Sequence, residues 1–396
     1  MAASSSAPRL TPPRISADRL LADLAELARI GGRPDGGVDR VAGSEADLAA
    51  RRWLASRIEA AGLEARTDAA GNVFGRVPHS RGPWLLLGSH TDTVPAGGRL
   101  DGAYGVMAAL EILRAFHEAG HPSAEQLEIV SFYDEEGVGA GGGLAGSTYL
   151  CASEHAAELS GYLELHIEQG PRLEAEGFEL GVVDGIVGID RWDITIHGAA
   201  NHAGTTPYSM RRDAGAAAGR ILHGLRRLVQ AVDAEMVANV GEVRLLPGAT
   251  NVVPGEARFV VEMRALDPRS LRRAAEALHE EVAAAAAEAG CEATVTPRSS
   301  VPPAPMDPRL VGAVEAACAE SGRRWRRLVS GAGHDAGRMA EVVPAAMLFV
   351  PSHLGISHSP NEHTEPALLA QGAWVFASAA AKALEFPRDN DHISGK

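Results

Sequence analysis

The chain has 396 residues, 45% of them apolar, which suits two or three domains with sizeable cores and excludes a disordered or fibrous protein. Lys+Arg of 37 against Asp+Glu of 51 leave a formal charge of −14, which argues against nucleic acid or an anionic membrane as partner and favours small molecules. Three cysteines, Cys151, Cys291 and Cys318, are too few and too scattered for a disulfide framework or a cysteine-based zinc site, and they fit a reducing cytoplasm.

Met1–Arg14 is rich in Ser and Pro. Leu20, Leu21, Leu24, Leu27 and Ile30 then recur at helical spacing between Asp and Arg residues, so the start of the chain lacks the unbroken apolar stretch of a secretory signal. No apolar run approaches the ~20 residues that a membrane-spanning helix needs. A soluble protein of the cytoplasm is expected.

Short apolar runs then alternate with helical patterns, which predicts an α/β fold with a mixed, mainly parallel sheet flanked by helices. Four runs stand out: Trp84–Leu87, Leu127–Tyr133, Gly161–Leu165 and Ala345–Val350. Each is followed at once by metal-type side chains: Ser89-His90-Thr91-Asp92, Asp134-Glu135-Glu136, His166-Ile167-Glu168-Gln169, and a loop with His353 and His358. Open α/β sheets bind ligands beyond the carboxyl ends of their strands, so these four ends converge on one site.

From about Asp190 to Thr296 the pattern changes to strand (Trp192–Ile196), helix (Arg212–Val232), strand (Glu242–Leu246), strand (Arg258–Arg264), helix (Ser270–Ala289) and strand (Glu292–Thr296). That β-α-β-β-α-β order predicts a ferredoxin-like α+β domain over 190–300, inserted as a lid into a discontinuous catalytic domain of 1–189 and 301–396. Pro-rich Ser299–Pro308 reads as the linker back. Asp190–Ser300 holds 13 Arg against 14 acidic residues, so nearly all of the chain's acidity belongs to the catalytic domain.

The chemistry begins at Gly88-Ser-His-Thr-Asp-Thr-Val94 and Gly97-Gly-Arg-Leu-Asp-Gly102. A His at a strand end can offer an imidazole to a divalent metal, and Asp92 can hydrogen-bond its other nitrogen and fix the tautomer. Asp101 lies between glycines before a helix expected over Ala103–Ala119, with its carboxylate able to bridge two metals. Read alone, these are also a solvated His-Asp turn and a helix-capping Asp. Glu135 and Glu136 point to opposite sides if the segment is extended, so one can bind metal while the other serves as a base. His166 and His358 complete a set of three His and two carboxylates suited to a two-metal hydrolase. With no cysteine in the set, zinc, manganese, cobalt and nickel are all compatible. His117, His121, His155, His223 and His279 lack such surroundings and read as ordinary residues.

These motifs, GSHTDTVPAGGRLDG, DEEG, ELHIEQGP, NHAGTTP, RRDA, NVVPG, SGAGHDA and GISHSPNE, occur in the order found in the dinuclear metal amidohydrolases. That family includes allantoate amidohydrolase, N-carbamoyl-L-amino-acid hydrolase and β-ureidopropionase. The chain resembles it from about Ile30 to Ala380. The resemblance implies a zinc-exopeptidase-like fold and two divalent ions per subunit, zinc first, held by His90, Asp101, Glu136, His166 and His358 with Asp101 bridging. It makes Glu135 the general base and Asp92 the partner of His90. It also implies that Gln169, His202, Asn251 and Arg264 bind the substrate, with His202 stabilising the oxyanion and Arg264 clamping a carboxylate. Arg264 on its own reads as an exposed strand arginine. A homodimer formed through the lid domain is implied as well.

The activity so implied is hydrolysis of a linear amide or ureido C–N bond in an N-carbamoyl-L-amino acid, in allantoate or in an N-acyl amino acid. One departure bears on that choice: Gly137-Val-Gly-Ala-Gly141 stands where the family commonly has Gly-Ser-Arg-Phe-Gly. A non-catalytic metabolite-binding protein and a peptidase are the competing readings. The retained Glu135 opposes the first, and His166, where related peptidases offer a carboxylate, opposes the second.

Overall fold

The computed structural model describes residues 11–139 and 142–385, so residues 1–10, Ala140 and Gly141 of the departing loop, and residues 386–396 lie outside the described residues. The described residues fall into two compact units, one within Met1–Gly185 and Pro305–Lys396, the other Ile186–Ala304.

The first unit is built on a mixed sheet, nine-stranded among the described residues. At its centre Leu127–Phe132, Trp84–His90, Leu159–Ile167 and Ala345–Val350 lie side by side in that order, every pairing parallel. Trp84–His90, Leu127–Phe132 and Ala345–Val350 are buried at every position, as strands covered on both faces must be. The short strands Glu64–Thr67 and Val73–Arg76 extend one edge antiparallel, and Leu180–Ile186 continues antiparallel beyond Ala345–Val350.

Helix Ala103–Glu118 packs along the central strands, while Pro308–Glu320 and Pro366–Glu385 pack on each other and on Ala345–Val350. Pro366–Glu385 is a core helix of this unit. Its 20 residues are long and apolar enough to cross a bilayer, and 56% of its most apolar stretch is buried inside the protein. Val375 and Phe376 there are fully covered, each contributing ~1.5–3 kcal/mol by leaving water.

The second unit is an antiparallel sheet in the order Val243–Leu246, Glu256–Ala265, Gly188–His197, Glu292–Val301, with Val237–Asn239 also beside Glu256–Ala265. Helices Ala214–Val232 and Pro268–Glu288 pack together against it. Ala257, Phe259, Val261, Met263 and Ala265 alternate into that core, so Glu262 and Arg264 project from the opposite face.

Several boundaries in this unit differ from expectation, and two of them have a clear local cause. Helix Pro268–Glu288 starts two residues early because Asp267 caps the Arg269 amide and Pro268 occupies the first turn. Ser299–Val301, read as linker, continues the last strand: the pairing with Gly188–His197 shifts register between Pro297 and Ser299 and then resumes. The proline cannot donate to the ladder, and the shift absorbs that loss.

Candidate active site

The four central strands are parallel neighbours, so their carboxyl ends share one rim. His90 closes its strand in register with Phe132, and His166 lies in register with Phe349. The chain bends at Glu135–Gly137 instead of running extended, with Asp134 at φ +52°. Glu135 and Glu136 still diverge: Glu135 Oε2 lies 3.6 Å from His90 Nε2, and Glu136 Oε2 lies 3.3 Å from His358 Nε2. Asp101 sits at the centre. Its Oδ1 is 3.1 Å from His166 Nε2 and 3.8 Å from His90 Nε2, and its Oδ2 is 3.1 Å from His358 Nε2. Gly102 allows this approach, since a Cβ there would lie 2.4 Å from the His90 ring.

The donors fall into two groups that share Asp101, namely His90, Asp101 and His166, and Asp101, Glu136 and His358, with ligand atoms in each group within 4.8 Å of one another. The Nδ1–H of His90 donates to the Asp92 carbonyl at 3.1 Å, and that of His166 to the Ile167 carbonyl at 2.8 Å. Both rings therefore present Nε2 to Asp101.

Asp92 departs from the expected arrangement. Its backbone carbonyl orients His90, while its carboxylate, 3.7 Å from Nδ1, accepts the amides of Glu135 (3.4 Å) and Glu136 (3.3 Å). Asp92 thus holds the backbone of the acid pair. Gln169 reaches the same centre, its Nε2 donating to Asp101 Oδ2 at 2.8 Å. Asp134, Gln169 and His358 all hold left-handed φ values (+52°, +57° and +54°), and such strain persists where surrounding structure enforces it.

The electrostatics suit bound cations. Burial, then the charges of Asp335, Glu136, Asp92 and Asp101, push the Glu135 carboxyl well above its ordinary range. Burial likewise raises Glu136 and Asp92. Burial opposes ionisation of Asp101 too, but hydrogen bonds to His166 and His358 outweigh it and hold that carboxyl well below the usual range. Clustered acids around a shared carboxylate, faced by imidazoles with outward Nε2 atoms, fit divalent metal with oxygen and nitrogen ligands.

Three wall residues were not singled out by sequence reasoning: Glu164, His334 and Asp335. Glu164 accepts Ser89 Oγ–H (2.7 Å) and the Ala336 amide (2.9 Å), and His334 Nε2 contacts Ser330 Oγ at 2.9 Å. With His166 they form a third His and Glu group, but these protein partners already engage its donors. Burial, then Glu164, raises the Asp335 carboxyl to about 8. The SGAGHDA motif was the available signal for His334 and Asp335. In the departing loop, Val138 is exposed and the Gly139 amide donates to Asp134 Oδ1 at 3.0 Å.

The remaining expected residues belong to the second unit. Strand Asn201–His202 pairs with Val252–Val253, and the Ala203 amide donates to the Asn251 carbonyl at 2.9 Å, so His202 and Asn251 are neighbours. His202 Nδ1 accepts the amides of Gly204 (3.0 Å) and Thr205 (3.2 Å), which leaves the ring proton on Nε2. Arg264 is held by Glu262 through Nε (2.8 Å), and the other Glu262 oxygen takes Arg191 Nε (2.7 Å).

Residues 86–382 match the model of peptidase family M20/M25/M40. The chain belongs to this family. Among its M20/M25/M40 relatives it is 34% identical to an allantoate amidohydrolase of Bacillus subtilis (strain 168), over 91% of this chain and 96% of that protein. It is 33% identical to an N-carbamoyl-L-amino-acid amidohydrolase of Paenarthrobacter aurescens, over 92% and 98%. A solved hydantoinase/carbamoylase family amidase from Burkholderia multivorans superposes with a TM-score of 0.88 at 33% identity, over 95% of this chain and all of that one.

Proposed function

We propose that this M20/M25/M40 member is a metal-dependent amidohydrolase that cleaves the ureido C–N bond of N-carbamoyl-L-amino acids to an amino acid, carbon dioxide and ammonia. The observation that carries the reading is Asp101 shared between two donor groups, with Glu135 beside His90. His90, Asp101 and His166 would hold one ion, and Asp101, Glu136 and His358 the other. Zinc is the first candidate, with manganese, cobalt and nickel compatible. When bound, the ions supply positive charge that acidifies water and polarises a carbonyl.

The protein's own groups do the rest. Glu135 takes the proton of the attacking water and returns it to the leaving nitrogen as the C–N bond breaks, and the carbamate released falls apart to carbon dioxide and ammonia. A carboxyl whose pKa is raised by its surroundings is suited to both roles. Asp92 holds the Glu135 backbone in place. His202, with its ring proton on Nε2, would donate to the developing oxyanion. Asn251 and Gln169 would bind the ureido group, and Arg264, steadied by Glu262, would take the substrate carboxylate. The Ile186–Ala304 unit would act as lid and dimerisation surface, and the cytoplasm is the compartment that three free cysteines suit.

Allantoate is the second reading, because a 34% identical relative bears that name. A panel of N-carbamoyl-L-amino acids, allantoate and N-acetyl amino acids, assayed for ammonia and amino-acid release with each metal, separates the substrates. Ammonia is expected from the carbamoyl substrates, and chelation should abolish its release. No ammonia from any ureido compound would overturn this reading.

A further inference from the structure

Glu362, the last residue of GISHSPNE, is buried with 3% of its surface exposed. Its Oε1 accepts the amides of Leu100 (2.8 Å) and Asp101 (3.1 Å), which lie at the entrance to helix Ala103–Glu118. Its Oε2 is 3.0 Å from Ser357 Oγ, and that same Oγ is 2.9 Å from Asp101 Oδ2. One carboxylate thus spans two loops about 260 residues apart in sequence, joining the loop of Asp101 to the loop of His358. It touches Asp101 twice, at its amide and, through Ser357, at its side-chain oxygen.

The space for this carboxylate is specific. A Cβ at Gly98 would lie 2.0 Å from the Glu362 carboxyl carbon, and Gly98 has no left-handed φ that would itself demand glycine. The three atoms nearest that Cβ all belong to the Glu362 carboxyl group, so a larger residue at Gly98 would meet Glu362 first. The alternatives to a clamp are poor, since removing Glu362 leaves two buried amides without an acceptor and frees the Ser357 hydroxyl to turn from Asp101.

We propose that Glu362, acting through Ser357 and seated by Gly98, is a positioning residue that fixes the Asp101 carboxylate between the two donor groups and ties it to the His358 loop. This deepens the dinuclear reading and rests on it. Partners behind metal ligands orient them, and their loss weakens metal binding by about 10- to 100-fold. Because Asp101 serves both groups, the loss falls on both ions.

The test is cobalt titration of the full chain, following uptake and the visible absorption of bound cobalt, alongside thermal unfolding of the chelated protein. Glu362→Ala is expected to weaken both cobalt ions by about 10- to 100-fold and alter their absorption. Glu362→Gln keeps an acceptor for both amides and places an N–H where Ser357 Oγ can accept it while donating to Asp101, so its affinity should stay within about threefold of the parent. Gly98→Ala should match Glu362→Ala, and the double variant should be little worse than either, because both remove one interaction. Ser357→Ala, which leaves the amide contacts intact, should lose about 10-fold and serves if Glu362→Ala does not fold. Folded variants with parental cobalt affinity and absorption, or additive losses in the double variant, would overturn the positioning role alone. A parent chain that takes up no cobalt would overturn it together with the dinuclear reading.

Discussion

Replacing Glu135 by Gln separates a base from a ligand. The amide keeps the size of the side chain and the Glu135 backbone contact to Asp92, and removes the group that accepts the proton of water. Glu135 Oε2 is 3.6 Å from His90 Nε2, beyond hydrogen-bonding range, so the substitution should leave the imidazoles and Asp101 where they are. It also removes one negative charge from a buried set with Glu136, Asp92, Asp101 and Asp335, which relieves repulsion in the metal-free protein. Positioned general bases contribute about 10²- to 10⁴-fold, so kcat should fall by that factor, which corresponds to ~2.7–5.4 kcal/mol on the barrier. KM should stay within about threefold, because no contact common to ground and transition states is lost. The assay is steady-state ammonia release with metal content measured on the same samples. A kcat within tenfold of the parent at full metal content would refute Glu135 as base, and loss of an ion would make it a ligand instead.

Three further outcomes follow from particular contacts. Asp92→Asn should lower kcat by about tenfold while leaving metal affinity near parental, because the Asp92 carbonyl, not its carboxylate, orients His90; a large drop in zinc affinity would contradict this. Glu262→Gln removes the anion that steadies Arg264 and should raise KM for carboxylate-bearing substrates about tenfold with kcat little changed; an unchanged KM would disconnect Arg264 from substrate. His155 lies 2.6 Å from buried Glu128 and 2.8 Å from Glu158; burial opposes its protonation, but these glutamates outweigh it and raise its pKa above 6.5. Its contribution is then full below pH ~6.5 and lost as pH rises through the raised value, so thermal unfolding should show His155→Gln less stable by roughly 1 kcal/mol at pH 6, the gap narrowing towards pH 8. A gap that widens with pH would reverse the sign.

What could be read from the sequence was set by how locally each feature is determined. The apolar runs before His90, Asp134, His166 and His353 are buried on both faces, and such runs have few structures open to them; they became four adjacent parallel strands. That adjacency brings together His90, Asp101, Glu136, His166 and His358. Less legible were features that depend on contacts distant in sequence. The strand Glu64–Thr67 is short and polar at three of its four positions, and only its partner Val73–Arg76 makes it a strand. Ser299–Val301 reads as linker because serine and proline are poor strand formers, yet pairing with Gly188–His197 recruits it. Whether the carbonyl or the carboxylate of Asp92 meets His90 is decided by the turn between them. Glu164 and Glu362 looked like ordinary acids, because burial at 0% and 3% is a property of the fold and not of the residue type.

Whether Asp101 serves two ions at once is tested most directly by a metal count. After loading with zinc and dialysis against metal-free buffer, the parent chain should retain two ions, His358→Ala one, and Asp101→Ala neither. A parent chain that retains a single ion, or an Asp101→Ala variant that still holds two, would contradict a shared Asp101.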